Sequence, residues 1–284
     1  MGARITSYTH DGLVLDVRDT GPLDGEPAVL LHGFPERGSS WDAVAPLLHE
    51  RGFRTLAPDQ RGYSPGARPR RRRDYRLACL AGDVEALAAQ VGRPVHLVGH
   101  DWGASVAWLV AARSPGQVRS LTAVSVPPAM AFVRSLVTSD QLLRSWYMLL
   151  FQLPRVPELL ASRPGGRFDQ GLRAAGMTEA EVARCRREIV EYGALPGALG
   201  WYRAQFLLDP SMSASRVRIP TTLAWSDGDV AVGRKGVDLT PDYVDAPYAL
   251  EVLEGVTHWI PTQAPERLAR IVLARIASVE EDRP

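Results

Sequence analysis

A chain of 284 residues with 45% hydrophobic content can bury one large α/β core, or one such core and a smaller insertion. Its formal net charge of +1 exerts no general pull on nucleic acid or acidic membranes, so a partner must be chosen by a pocket rather than by a field. No run of about 18 apolar residues exists to span a bilayer, and Met1-Gly2-Ala3-Arg4-Ile5-Thr6 lacks the apolar stretch of a secretory leader, so a soluble, cytoplasmic protein is expected.

In chain order, Ile5 to Tyr8 and Leu13 to Val17 read as an antiparallel pair around His10-Asp11-Gly12, and Ala28-Val29-Leu30-Leu31 as a buried strand. Trp41 to Glu50 reads as a helix and Arg54 to Pro58 as a strand. Arg76 to Val91 reads as a helix with Leu77, Leu80, Val84, Leu87 and Val91 on one face. A strand from Val95 to Val98, a helix from near Trp102 through Ala112 and a strand near Val118 to Val124 complete this half. Strands and helices alternating at this spacing imply a mostly parallel sheet covered by helices on both faces.

Pro127-Pro128 interrupts the alternation, and residues 127–215 carry helical periodicity without strands, which predicts an inserted helical lid. The sheet resumes with Thr221 to Trp225 and Tyr248 to Leu253, and a helix from Pro265 to about Val279 closes the chain. The expected division is a core of residues 1–126 and 216–284 with the lid between. Cys79 and Cys185 fall in helical patterns with no metal-like spacing and read as two free buried thiols, which suits a reducing compartment. Positive charge is nearly all arginine, Lys235 being the only lysine. The run Arg68-Pro69-Arg70-Arg71-Arg72-Arg73 lacks interleaved aromatics and reads as a solvated loop.

The chemistry centres on Gly99-His100-Asp101-Trp102-Gly103, where a strand must turn sharply into a helix. Small residues around a central side chain let such a turn lift that side chain to the top of a sheet. Asp101 is then a candidate nucleophile, the other reading being a simple helix N-cap. A nucleophilic carboxylate needs a histidine and an acid that orients it, and the order nucleophile, acid, histidine is that of the α/β-hydrolase fold. Past a late strand, Ser226-Asp227-Gly228-Asp229 offers Asp229 as the acid, with Asp227 as the alternative or a turn residue beside Gly228. His258, in Gly255-Val256-Thr257-His258-Trp259 before the last helix, fits the base. Backbone amides of Trp102 and Phe34 would form the oxyanion hole. His32 reads as a packing and hydrogen-bonding residue of its loop, and His100 as the occupant of a variable elbow position.

These motifs resemble the soluble epoxide hydrolases of the α/β-hydrolase superfamily over almost the whole chain. The family's His-Gly-Phe-Pro-Glu stands at His32 to Glu36, its Gly-His-Asp-Trp-Gly at Gly99 to Gly103 and its His-Trp at His258-Trp259. Its two lid tyrosines match Tyr147, four residues before Phe151-Gln152, and Tyr202 in Trp201-Tyr202-Arg203. The chain departs at Arg61-Gly62-Tyr63-Ser64-Pro65, where the family has Arg-Gly-Tyr-Gly, and at Gly103-Ala104. The resemblance implies an epoxide and water as reactants, a vicinal diol as product, an aspartyl ester intermediate, catalysis by Asp101, His258, Asp229, Tyr147 and Tyr202, and substrate binding by Phe34, Trp102 and the two tyrosines. It calls for no metal and no organic cofactor. A homodimer is compatible with the sequence. The competing readings are a haloalkane or haloacid dehalogenase with the same nucleophile, against which stand Phe34, where asparagine is common, and the lack of a carboxylate after Val124-Ser125-Val126, or a non-catalytic ligand-binding homologue.

Overall fold

A computed structural model describes residues 3–205, 207 and 216–280. Eight strands form one sheet: β1 (Ser7–His10), β2 (Leu13–Thr20), β3 (Glu26–Leu31), β4 (Phe53–Pro58), β5 (Val95–His100), β6 (Val118–Val124), β7 (Thr221–Ser226) and β8 (Tyr248–Leu253), in the order β1-β2-β4-β3-β5-β6-β7-β8. β1 and β2 pair antiparallel, β2 joins β4 antiparallel, and every later pairing is parallel. β4, β5 and β7 are buried along their whole lengths, as strands covered on both faces must be. Period-two alternation divides β3 between two cores. Val29 and Leu31 pack on the side of α2 (Leu77–Val91) and α3 (Trp102–Arg113), whereas Ala28 and Leu30 face α1 (Ala45–His49) and the C-terminal helix, α13 (Pro265–Glu280).

Between β6 and β7 the described chain is helical: α4 (Ala129–Thr138), α5 (Gln141–Arg144), α6 (Trp146–Leu150), α7 (Val156–Ala161), α8 (Arg167–Ala174), α9 (Glu179–Cys185) running into a π-helical stretch (Arg186–Glu191), and α10 (Leu195–Ala204). Short helices α11 (Arg234–Asp238) and α12 (Ile260–Gln263) follow β7 and β8. The expected end of the insertion, at residue 215, lies outside the described residues, as does the end of the core, 281–284. No helix among the described residues is long and apolar enough to cross a membrane.

Two local expectations are corrected. The helix expected over Trp41 to Glu50 is a 3₁₀ turn, Gly38–Trp41, followed by the short α1, because Pro46 has no N–H for a helix begun at Trp41 and its ring would strike the carbonyl a turn earlier. Both cysteines are free, but only Cys185 is buried. Cys79 sits beside, not within, the face of α2 that buries Leu80, Val84 and Leu87, and its thiol is aimed at the Arg73 carbonyl, 3.8 Å away.

Candidate active site

Asp101 joins β5 to α3 with φ 52° and ψ −119°, in the left-handed region that a residue bearing a Cβ seldom occupies. The flanking glycines make this turn possible. A Cβ on Gly99 would stand 2.3 Å from the Gly103 carbonyl oxygen, and one on Gly103 would stand 2.3 Å from that of Leu31. The Asp101 side chain makes no cap hydrogen bond to α3, which removes the N-cap reading. Instead its two oxygens have separate partners. Oδ1 accepts from the Phe34 amide at 2.8 Å, and Oδ2 lies 3.5 Å from Nε2 of His258. The loop after β3 reaches this close because residue 33 is glycine: a Cβ there would sit 2.4 Å from that of Asp101. His32 fixes the same loop, its Nδ1 bonded to the Gly33 carbonyl at 2.9 Å and its Nε2 accepting from the Gln60 amide at 3.1 Å. Trp102 opens α3, so its amide is among the first-turn donors that no helical carbonyl reaches.

His258 lies after β8, and its Nδ1 is 2.7 Å from Oδ2 of Asp229. The other oxygen of Asp229 accepts from the amides of Ala231 and Val232 at 2.8 and 2.9 Å. Asp227, the alternative acid, is exposed and accepts from the Gly255 amide at 2.8 Å, so it braces a turn and does not reach the imidazole. Burial opposes charge on His258, yet the Asp229 and Asp101 carboxylates hold its pKa well above that of a free imidazole. Burial likewise opposes charge on Asp101, and its bonds to His258 and the Phe34 amide keep it below the ordinary carboxylate value.

A cavity of about 270 Å³ opens above the elbow, bounded by Asp101, Trp102 and Val126 at its floor and by Phe132, Tyr147 and Tyr202 from the inserted helices. The two tyrosine rings meet edge-on with centroids 6.1 Å apart. Burial, reinforced by nearby Asp101, pushes both phenols up, so they remain protonated donors. The residues beside them explain their approach: the Gln152 amide donates to the Tyr202 carbonyl at 2.8 Å, and Nε of Arg203 donates to that of Phe151 at 3.1 Å. Phe34 and Trp102 each meet Tyr202 edge-on at 5.0 Å.

Several contributors carry no signal in the sequence. His100 is fully buried; its Nε2 is 2.9 Å from the His258 carbonyl and its Nδ1 is 3.4 Å from Glu36, which is itself paired with Arg184 of α9 at 2.8 Å. It braces the His258 loop, so the reading of a merely variable elbow residue is corrected. Buried Gln141 of α5 donates to the Ala231 carbonyl at 2.7 Å and accepts from the Gly233 amide at 2.8 Å, clasping the loop that carries Asp229. Only spatial proximity across about 90 residues reveals such a clasp.

The sequence matches the alpha/beta hydrolase family over residues 28–271. Among proteins it resembles, AB hydrolase superfamily protein YfhM of Bacillus subtilis is 31% identical over 281 residues, 96% of this chain and 97% of that protein. Epoxide hydrolase 3 of Xenopus tropicalis is 34% identical over 257 residues, 86% of this chain and 69% of that one. The solved structure of epoxide hydrolase A from Mycobacterium thermoresistibile superimposes with a TM-score of 0.81 at 25% identity, over 95% of this chain and 97% of that chain. The chain belongs to the alpha/beta hydrolase family, in its epoxide hydrolase branch.

Proposed function

We propose that the protein hydrolyses epoxides to vicinal diols through an ester on Asp101, with the helices of residues 127–215 acting as a lid over the site. The observation that carries this reading is the meeting, in one cavity, of an elbow carboxylate with two tyrosines of the inserted helices, Tyr202 buried and Tyr147 partly so. Oδ1 is engaged by Phe34, so Oδ2 is the attacking oxygen. As it bonds to an epoxide carbon, the C–O bond breaks and its electron pair passes to the ring oxygen. Tyr147 and Tyr202 donate hydrogen bonds there, and one of them gives up its proton. Halide departure would not need a proton, which weighs against dehalogenation.

The ester is then cleaved at its carbonyl. His258, oriented by Asp229, takes a proton from water, and the hydroxide adds to Cγ of Asp101. The negative charge collects on Oδ1, where the Phe34 and Trp102 amides receive it. Collapse expels Oδ2 with the diol, which takes the proton back from His258. The proton left on the new carboxyl returns to the tyrosinate. This balance consumes one epoxide and one water, and no step calls on a metal or cofactor. The two free thiols support a cytoplasmic setting.

Single turnover in H₂¹⁸O tests the scheme. Heavy oxygen is expected in the peptide containing Asp101 and not in the first diol, and His258→Gln is expected to accumulate protein heavier by one substrate. Heavy oxygen in the first diol with Asp101 unlabelled would mean direct attack by water and would overturn the mechanism.

A further inference from the structure

The net charge of +1 conceals a segregation. Residues 68–76 carry six arginines against Asp74, and residues 129–167 carry five against Asp140 and Glu158. Arg70, Arg71, Arg155, Arg163 and Arg167 are exposed, and none of them makes an ion pair among the described residues. Across the same inserted helices runs an uncovered apolar face. Val137, Leu142, Leu143, Trp146, Leu149 and Leu153 are 46% to 84% exposed, and they fall on α4, α5, α6 and the turn that follows α6. Large apolar side chains exposed this densely along one stretch mark an interaction surface.

The basic loop and the apolar face adjoin: Nη2 of Arg72 donates to the Gln152 side chain at 2.8 Å, beside Leu149 and Leu153. Both segments contribute to the lining of the cavity: Arg76 and Leu77, which follow the basic loop, and Val133 and Leu136 of α4 are among its lining residues, and Val133 is also open to solvent.

We propose that this face docks peripherally on an anionic lipid bilayer, so that the cavity takes lipophilic epoxides directly from the membrane. Tryptophan and leucine facing the acyl boundary with arginines around them is the composition that interfacial helices use. A second copy of the chain fits the face less well, because a two-fold contact brings each arginine-rich surface against its own image. The choice of substrate rests on the epoxide hydrolase reading, whereas docking is measured on the protein without any epoxide.

The test is co-sedimentation with vesicles of equal parts phosphatidylserine and phosphatidylcholine, against phosphatidylcholine alone. Binding is expected only to the anionic vesicles and is expected to fall as salt rises. Arg70→Gln with Arg71→Gln should weaken it by roughly twenty-five-fold, at about fivefold per arginine near the surface, and Leu142→Gln with Trp146→Gln by at least about tenfold. Both double variants should retain wild-type turnover of a short water-soluble epoxide, which shows that they fold. No binding to anionic vesicles, equal binding to both vesicle types, or binding unchanged in the variants would each overturn the proposal. So would a concentration-dependent dimer that Trp146→Gln abolishes in protein that does not bind vesicles. Loss of epoxide turnover in a wild-type protein that still binds anionic vesicles would instead overturn the catalytic reading and leave the docking intact.

Discussion

Asp101 and His258 exchange charge during the proposed cycle, and the exchange sets the pH dependence of each half. In the resting site burial opposes the imidazolium while the Asp229 and Asp101 carboxylates raise its pKa. Ester formation neutralises Asp101, one of those two anions, so the pKa of His258 falls at the step after which a neutral base is required. Ring opening needs only ionised Asp101, whose pKa is held below the usual carboxylate value. As pH drops, ester hydrolysis should therefore fail before ring opening does. Acid quenching followed by intact-protein mass spectrometry should find the alkylated form accumulating toward acidic pH; an acid limb on ring opening with no accumulation would contradict the assignment. The tyrosines give a second residue-scale expectation. Tyr147→Phe and Tyr202→Phe should each slow ring opening by about 10²–10³, the magnitude typical of one lost oxyanion donor, and together should nearly abolish it. Near-normal diol formation by the double variant, followed by chromatography, would remove the lid hydroxyls from the mechanism.

At the scale of elements, the inserted helices grip the catalytic loops as well as covering them. α5 clasps the Asp229 loop through Gln141, and α9 reaches His100 through Arg184 and Glu36. Gln141→Leu strands the buried Ala231 carbonyl and Gly233 amide, a cost of about 1–3 kcal/mol, which calorimetry should read as a drop of several degrees in Tm. Its more specific consequence is kinetic. A loosened Asp229 orients His258 less well, so ester hydrolysis should slow by about an order of magnitude, well short of the ~10⁴ seen when such an acid loses its charge outright. Stopped-flow measurement should find ring opening much less affected; equal slowing of both steps would reduce Gln141 to a structural role.

Across the whole molecule, what the sequence made legible is what local pattern encodes. Short β-branched runs alternating with amphipathic helices gave the sheet and its helical layers, with β6 and β8 found at their expected bounds. Chain order directed attention to Asp101, Asp229 and His258, and the fold brings each carboxylate within hydrogen-bonding or ion-pair distance of the imidazole. Contacts between distant segments stayed hidden. Nothing near His100 points to a carbonyl 158 residues away, and nothing near Gln141 points to Gly233. Composition concealed the arginine-rich segments as well, because an average over 284 residues cancels charges that the sequence keeps apart. The separate holds on the two oxygens of Asp101 reach furthest. While the Phe34 amide retains Oδ1, that atom is a permanent resident of the protein, and only the opposite position is spent and refilled. In the proposed cycle each diol after the first would then carry away an oxygen delivered by the water of the turnover before it, so that the nucleophile would be rebuilt from solvent once per cycle and its isotopic composition would lag the medium by one event.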